Sequence, residues 1–125
     1  MKLIYKKLIR PLLFQLDAEH AHDLACRFLK VTEKSILARK CISLASSAKS
    51  QSCNFFGLSF PNRLGLAAGM DKNGAFPKTF SSLGFGHVEI GTITPKAQHG
   101  NPKPRLFRYP KYNALVNRMG FNNDG

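Results

Sequence analysis

This chain of 125 residues has no tryptophan, only three cysteines, and seven acidic residues against 19 lysines and arginines. Cys26, Cys41 and Cys53 are too few and too far apart for a disulfide framework or a zinc site, so we expect reduced, buried thiols. No apolar run reaches the about 18 residues that a membrane-spanning helix needs. Hydrophobic residues make up 43% of the chain, which is typical of a folded globular protein.

The formal net charge is +12, and the positive excess is divided equally between residues 1–50 and 51–125. Such a surface favours anionic partners, namely phosphates, nucleic acid or an acidic lipid leaflet. A solvated basic surface without a partner explains the charge better than any single one of these partners. One interpretation is therefore a small basic protein that binds nucleic acid or a membrane surface. The sequence has no RNP, helix-turn-helix or zinc-finger signature, so we expect no nucleic-acid partner.

Residues 1–49 have the apolar spacing of helices. A first helix is predicted to end or restart at Pro11. Asp17 is a good N-cap for a second helix to about Thr32, and a third runs from about Lys34 to Ala45. A linker follows that contains Ser46, Ser47, Ser50 and Ser52. Basic amphipathic helices are typical either of a small bundle packed on its own domain or of a membrane-surface anchor.

From residue 53 onwards, the pattern is that of short strands. Two strands are predicted around Gly57, then a strand over 64–69, a helix over 74–83 and a strand over 87–91. This strand–helix–strand order predicts one βαβ unit of a parallel α/β fold. Residues 95–125 are rich in proline, glycine and asparagine, and within this loop 105–109 and 114–117 are suited to pair as a hairpin.

Residues 65–74 follow a predicted parallel strand, at the edge where α/β folds bind ligands. Small residues there let a flat ligand approach the backbone, and Lys72 supplies a positive charge beside it. Thr92 and Thr94 follow the next strand, and Asn117, Asn122 and Asn123 offer amides suited to a ligand with both donors and acceptors. Turn formation and solvation explain the same residues without a ligand. No metal-ligand spacing is present, because His20 and His22 point in different directions on a helix.

Four segments, together and in order, resemble the class 2, quinone-dependent dihydroorotate dehydrogenases. These segments are Asn62–Gly74, Gly84–Pro95, Gly100–Arg108 and Asn117–Asn123. Leu16–His22 in the helical region extends the resemblance over the whole chain. Four long motifs in one order are far more specific than a single glycine pattern.

The resemblance implies a (β/α)₈ TIM barrel preceded by a small helical domain. In this chain, residues 1–49 correspond to the helical domain and residues 50–125 to the start of the barrel. It implies FMN at the carboxyl face of the barrel, dihydroorotate as substrate, orotate as product and a membrane quinone as electron acceptor. The positions that match the FMN-lining segments are Ala68, Gly69, Met70, Asp71, Lys72 and Thr92. Those that match the substrate site are Lys72, Asn117, Arg118, Met119, Gly120 and Phe121. His22 and Arg108 match positions that line the quinone tunnel at the membrane surface.

The family pattern also implies parts that this sequence does not contain. A (β/α)₈ barrel takes about 250 residues, whereas this chain has two predicted barrel strands. The serine base of the class lies beyond Gly125, so we expect an N-terminal fragment that is inactive alone. The lack of a targeting presequence before Leu3 favours a bacterial protein, peripheral on the cytoplasmic face of the inner membrane.

Overall fold

The computed structural model describes residues 2–46 and 51–125, apart from the side chain of Lys2. Its contacts divide the chain into two compact units. The first unit is Met1–Phe28 with Gly100–Gly120, and the second is Leu29–His99 with Phe121–Gly125. The predicted domain boundary between residues 49 and 50 lies outside the described residues, as do Ser47 and Ser50 of the predicted linker.

The N-terminal helix is continuous and contains one π-helical turn. It consists of α1 (Lys2–Ile4), the π-helical segment Tyr5–Ile9 and α2 (Arg10–Gln15). The helix continues through Pro11. Of the two predicted outcomes, an end of the helix at Pro11 is therefore wrong. Pro11 lies in the first turn of α2, where no amide hydrogen is needed, and the preceding amide of Arg10 donates to the Tyr5 carbonyl.

Two further helices follow, α3 (Ala18–Lys34) and α4 (Ile36–Ser46), which confirms the predicted second and third helices. Asp17 caps α3 as expected: its Oδ1 accepts from the amides of Glu19 at 2.8 Å and His20 at 3.2 Å. These amide hydrogen bonds, that of His20 foremost, hold the pKa of Asp17 below its ordinary value.

The three cysteines are free thiols, but none of them is fully buried. Cys26 and Cys53 are half-buried, and Cys41 is exposed. The expectation of buried thiols is therefore wrong. For Cys41 the reason is that α4 contributes no buried residue at all.

The second unit contains the predicted βαβ unit. β3 (Gly65–Leu66) pairs in parallel with β4 (His87–Val88), and α5 (Pro77–Ser82) connects them. A Cβ atom on Gly65 would lie 1.9 Å from Nε2 of His87, so a larger residue there would require the imidazole to move. Ahead of this unit, β1 (Cys53–Phe55) and β2 (Leu58–Phe60) form an antiparallel hairpin around Gly57, as predicted.

Helix α5 begins at Pro77 and not at Gly74, which corrects the prediction of a helix over 74–83. The carboxylate of Asp71 accepts hydrogen bonds from the amides of Ala75 at 2.7 Å and Phe76 at 2.8 Å. These bonds turn the backbone ahead of the helix. Pro77 then takes the first helical position, for which its fixed φ is suited.

The core of the second unit lies where α3 meets α5. Leu29, Phe76 and Phe80 are buried there, and the Phe80 ring meets Phe76 edge-on at 6.2 Å. The carboxylate of Glu33 on α3 accepts from the amides of Lys78 at 3.2 Å and Thr79 at 2.8 Å. Glu33 therefore satisfies backbone donors at the start of α5 that the helix itself leaves unpaired.

In the first unit, β5 (Leu106–Tyr109) pairs antiparallel with β6 (Ala114–Asn117), and a 3₁₀ turn over Pro110–Tyr112 joins them. This confirms the predicted hairpin. The same unit exposes apolar side chains along its N-terminal helix: Leu3, Ile4, Leu8 and Leu12 are 58–66% exposed. Within the described residues, no helix combines the length and apolarity that crossing a membrane requires.

We predict that Glu33→Gln lowers the free energy of unfolding by about 1 kcal/mol, the usual contribution of a helix cap. Burial alone would raise the pKa of Glu33, but hydrogen bonds from Thr79 and Lys78 bring it below its ordinary value. Glu33 therefore stabilises the fold at neutral pH, and that contribution is lost as the pH falls below about 4.3, the pKa of a free glutamate.

Urea denaturation, followed by circular dichroism between neutral and acid pH, measures this effect. Glu33→Gln should flatten the loss of stability on acidification, whereas Glu89→Gln, at an exposed glutamate of the same unit, should not. Parallel curves for Glu33→Gln and the unsubstituted chain would contradict the assignment.

Candidate functional site

The second unit brings two loop segments together beyond the carboxyl ends of β3 and β4. The Glu89 amide donates to the Leu66 carbonyl at 2.9 Å, which continues the parallel pairing. The Gly69 amide then donates to the Gly91 carbonyl at 2.8 Å, and the Gly91 amide to the Asp71 carbonyl at 3.2 Å. The predicted segments at 68–72 and 92 are therefore adjacent, at the edge of the sheet where α/β proteins bind ligands.

This edge is open above small residues. Ala68, Gly69 and Thr92 are all exposed. Gly69 has φ +104°, in the region that favours glycine, and a Cβ placed on it would meet nothing within 4 Å. A planar group can therefore lie directly against the backbone here.

Asp71 differs from its neighbours, because the whole residue is only 1% exposed and its side chain bonds to the chain itself. Its two oxygens accept from the Ala75 and Phe76 amides as described above. The carboxylate thus shapes the loop, and the Asp71 carbonyl is itself bonded to the Gly91 amide.

Lys72 is half-buried, and its ammonium group donates a hydrogen bond to Oδ1 of Asn122. The neighbouring pair is also joined: Asn73 Nδ2 donates to Asp124 Oδ2 at 2.8 Å, and the Asp124 amide donates to Asn73 Oδ1 at 3.0 Å. The segment Phe121–Gly125 is thereby attached to the loop that follows β3. A cation and an amide meet at one point, which suits an anionic ligand with its own donors and acceptors.

Asn123 fixes this segment to the loop after β4. Its side chain is 6% exposed. Its Oδ1 accepts from the Thr94 hydroxyl at 3.0 Å and the Thr94 amide at 3.2 Å, and its Nδ2 donates to the Phe121 carbonyl at 2.6 Å. Asn123 therefore acts as a buried connector between the two loops.

The other predicted substrate residues, Asn117 to Gly120, belong to the first unit, whereas Phe121 belongs to the second. Asn117 ends β6 and is exposed. The Arg118 guanidinium folds back on the entrance of its own hairpin, where Nε and one terminal nitrogen donate to the Pro104 carbonyl at 3.2 and 3.1 Å.

Arg108 on β5 binds the corner between α2 and α3. One guanidinium nitrogen donates to the carbonyls of Leu13 at 3.1 Å and Leu16 at 3.0 Å, and the other to that of Asp17 at 3.4 Å. These carbonyls lie at or just beyond the end of α2, where a helix leaves carbonyls unpaired and favours a cation.

A cavity of about 460 Å³ opens beside Arg108, within the first unit. The Arg108 and Arg10 guanidinium groups lie 4.7 and 4.9 Å from the ring centroid of Phe14, within cation–π distance. The cavity is lined by three cations and apolar or neutral residues, and by no carboxylate: Tyr5, Lys6, Arg10, Phe14, Arg108, Pro110, Asn113, Ala114 and Leu115. It is suited to an amphipathic ligand with a polar or anionic head.

His22 does not line this cavity. It lies on α3, one turn before Cys26, with 3.5 Å between its Nε2 and the Cys26 sulfur. In the described part of the chain, no three His, Cys, Asp or Glu side chains are placed to hold a metal ion.

Sequence reasoning located the two strand ends and Arg108 but missed several partners. Asn122 beside Lys72 and the buried Asn123 were visible only as a cluster of amides. The cavity residues Arg10 and Phe14 had no signal beyond the amphipathic pattern of their helix. Asn123 contacts Thr94 29 residues away, Asn122 contacts Lys72 50 residues away, and Phe14 contacts Arg108 94 residues away, separations that no local pattern contains.

The chain was compared with known proteins. The family model for dihydroorotate dehydrogenase matches residues 50–125. A "Dihydroorotate dehydrogenase (quinone)" of Xanthomonas axonopodis pv. citri is 53% identical over 122 residues, covering 94% of this chain and 33% of that protein. The protein of the same name from Methylococcus capsulatus is 52% identical over 123 residues, covering 98% of this chain and 35% of that protein. The chain thus spans about a third of the length of these curated relatives.

Among solved structures, the crystal structure of DHODH in complex with ferulenol from Eimeria tenella matches with a TM-score of 0.64 and 41% identity. The match covers 87% of this chain and 27% of that one. A ligand-free DHODH structure from the same organism matches equally well.

We predict that Asp71→Ala destabilises the loop below the open edge. The substitution removes the acceptors of the Ala75 and Phe76 amides, and a buried donor left unpaired costs about 1–3 kcal/mol. Urea denaturation should show this loss, while Asp124→Ala, at an exposed aspartate of the same unit, should cost clearly less. Equal losses in the two variants would contradict the role given to Asp71.

Proposed function

The chain belongs to the dihydroorotate dehydrogenase family, and we propose that it supplies the N-terminal third of a flavin oxidoreductase of pyrimidine biosynthesis. The complete enzyme oxidises dihydroorotate to orotate and passes the electrons to a membrane quinone. The observation that carries this proposal is the identity of 52–53% with relatives named as quinone enzymes, over 94–98% of this chain. In this proposal residues 1–49 form a helical domain, and 50–125 begin a (β/α)₈ barrel whose first two strands are β3 and β4.

We propose FMN as the cofactor at the open edge beyond β3 and β4. The fit is supported by the free space above Gly69 and by the exposed Ala68 and Thr92 beside it. Ala68, Gly69, Met70, Asp71, Lys72 and Thr92 would hold it, with the buried Asp71 fixing the shape of the loop. When bound, FMN supplies the acceptor for hydride from the substrate and the donor of electrons to the quinone.

The substrate would bind through Lys72 and through the segment from Asn117 to Phe121. Dihydroorotate is a carboxylate with a cyclic urea, so it needs a cation together with amide donors and acceptors. Lys72, oriented by Asn122, supplies the cation. The residue that accepts the substrate proton, a serine in this class, would come from the part of the enzyme beyond Gly125.

The quinone would enter through the first unit. Its cavity combines an aromatic ring with the Arg108 and Arg10 guanidinium groups, which suits a flat ring bearing two carbonyl oxygens. The exposed leucines of the N-terminal helix would contact the acyl boundary of a bilayer, and the basic residues the anionic headgroups. His22 is assigned to the tunnel by resemblance. These features support peripheral contact with a membrane, and we propose the cytoplasmic side of a bacterial inner membrane as its location.

Genetic complementation tests the proposal. A bacterium that lacks dihydroorotate dehydrogenase requires uracil or uridine. The reading frame of the source gene, continued past the codon for Gly125, should restore growth without it, whereas the 125 residues alone should not. Failure of the extended frame to complement, with the protein present in membranes, would overturn the proposal.

We predict that Lys72→Ala in the full-length enzyme slows reduction of the flavin by dihydroorotate by about 100-fold, as expected for loss of one charge-stabilising donor. Anaerobic stopped-flow absorbance measures this step alone. Lys78→Ala, which removes an exposed lysine of α5, is the matched control. An unchanged reduction rate in Lys72→Ala would contradict the role of Lys72.

We predict the opposite pattern for Arg108→Ala. Its KM for quinone should rise about tenfold, equivalent to about 1.4 kcal/mol of binding, because the cavity loses a cation beside Phe14. Flavin reduction by dihydroorotate should change little. Lys111→Ala, on the same hairpin but outside the cavity lining, should leave the quinone KM unchanged. Equal quinone KM values for the two variants would count against the quinone assignment.

A further inference from the structure

Glu19 forms ion pairs with two cationic side chains in the first unit, those of Arg105 and Lys103. It lies in the first turn of α3, and its side chain is 8% exposed. Its Oε1 accepts from two nitrogens of Arg105, Nε at 3.0 Å and a terminal nitrogen at 2.9 Å, and lies 3.2 Å from the ammonium of Lys103. The Arg105 side chain is 11% exposed, so this is an almost fully enclosed ion pair.

Burial alone would raise the pKa of Glu19, but the hydrogen bonds from Arg105 and Lys103 together hold it below its ordinary value. The carboxylate is therefore ionised at neutral pH. A carboxylate enclosed in this way favours one position of its partner, because moving Arg105 away would leave the Glu19 charge buried without it. The guanidinium has a second attachment within the same unit, since another of its nitrogens donates to the Asn101 carbonyl at 3.2 Å.

Arg105 leads directly to the segment proposed to bind substrate. Its carbonyl accepts the Arg118 amide at 2.8 Å, and the next residue, Leu106, pairs with Asn117 in the hairpin register. The Arg118 guanidinium donates to the carbonyl of Pro104, the residue before Arg105. The position of Arg105 therefore sets the position of both Asn117 and Arg118.

Arg108 is attached to the helices independently of this ion pair. It lies three residues further along β5 and has its own bonds to the Leu13, Leu16 and Asp17 carbonyls. The hairpin thus has two separate attachments to the same helical corner. One is an ion pair at its open end, beside Asn117, and the other is a set of carbonyl bonds beside the cavity.

We propose that Glu19 is a positioning residue for the substrate, which acts through Arg105 on Asn117 and Arg118 and does not act on the quinone cavity. The inference rests on the proposed function, because that function gives Asn117 and Arg118 their substrate role. Under this inference, Glu19 in the helical region contributes to dihydroorotate binding by the segment that contains Asn117 and Arg118.

The test compares Glu19→Gln with Glu33→Gln in the full-length enzyme isolated with its flavin. Both substitutions neutralise a glutamate of α3 that accepts hydrogen bonds, but Glu33 contacts α5 and not the hairpin. We expect Glu19→Gln to raise the KM for dihydroorotate about tenfold, which is less than the about 100-fold that a displacement of about 1 Å can cost. The KM for quinone should stay the same, and Glu33→Gln should change neither. Glu19→Asp, which keeps the charge, should recover part of the loss.

Hydrogen exchange provides a readout that does not depend on activity. The Arg118 amide is bonded to the Arg105 carbonyl, so peptides covering 105–118 should exchange faster in Glu19→Gln than in Glu33→Gln. This comparison also remains informative if turnover is too weak to measure.

The outcomes separate this inference from the proposed function. Dihydroorotate KM values and exchange rates that are the same in Glu19→Gln and Glu33→Gln would overturn the role of Glu19 alone, as would a parallel rise of both KM values. If dihydroorotate does not reduce the flavin of the unsubstituted enzyme, the proposed function itself is overturned.

Discussion

Hydrogen bonding by a few carboxylates is the constraint on which the rest of this structure depends. The chain has seven acidic residues, and four of them accept bonds that fix a turn, a helix start or the side chain of an arginine. Asp17 caps α3, Asp71 turns the loop ahead of α5, Glu33 binds the first amides of α5 and Glu19 holds Arg105. Because these acids are used within the fold, much of the positive charge remains available to anionic ligands and surfaces.

Geometry at the candidate cofactor site follows from the pairing of two very short strands. β3 and β4 pair through only two residues each, which would form a weak sheet without further support. The bonds from Gly69 to Gly91 and from Gly91 to Asp71 extend the pairing into the loops. Those loops therefore present backbone and small side chains at one edge, with Lys72 and Asn122 beside them. A site for a flat, anionic ligand results from backbone pairing rather than from a deep pocket.

Local patterns predicted most of the elements, because apolar periodicity and the Asp17 cap are encoded within a few residues. They failed where a distant group decided the outcome. The start of α5 moved to Pro77 because the Asp71 carboxylate binds the amides before it. The ion pair of Glu19 with Arg105 joins residues 86 positions apart, and the bond of Lys72 to Asn122 joins residues 50 apart. The roles assigned to individual site residues came from resemblance and stay predictions.

The central claim is that this chain carries part of both halves of one redox reaction, a substrate half around Lys72 and a quinone half around Arg108. Sequential anaerobic mixing of the full-length enzyme tests it most directly, with the visible absorbance of the flavin as the signal. We predict that dihydroorotate bleaches the flavin and that a quinone in lipid vesicles restores its colour. A flavin that dihydroorotate leaves oxidised, or one that is reoxidised by a soluble nicotinamide but not by quinone, would contradict the account.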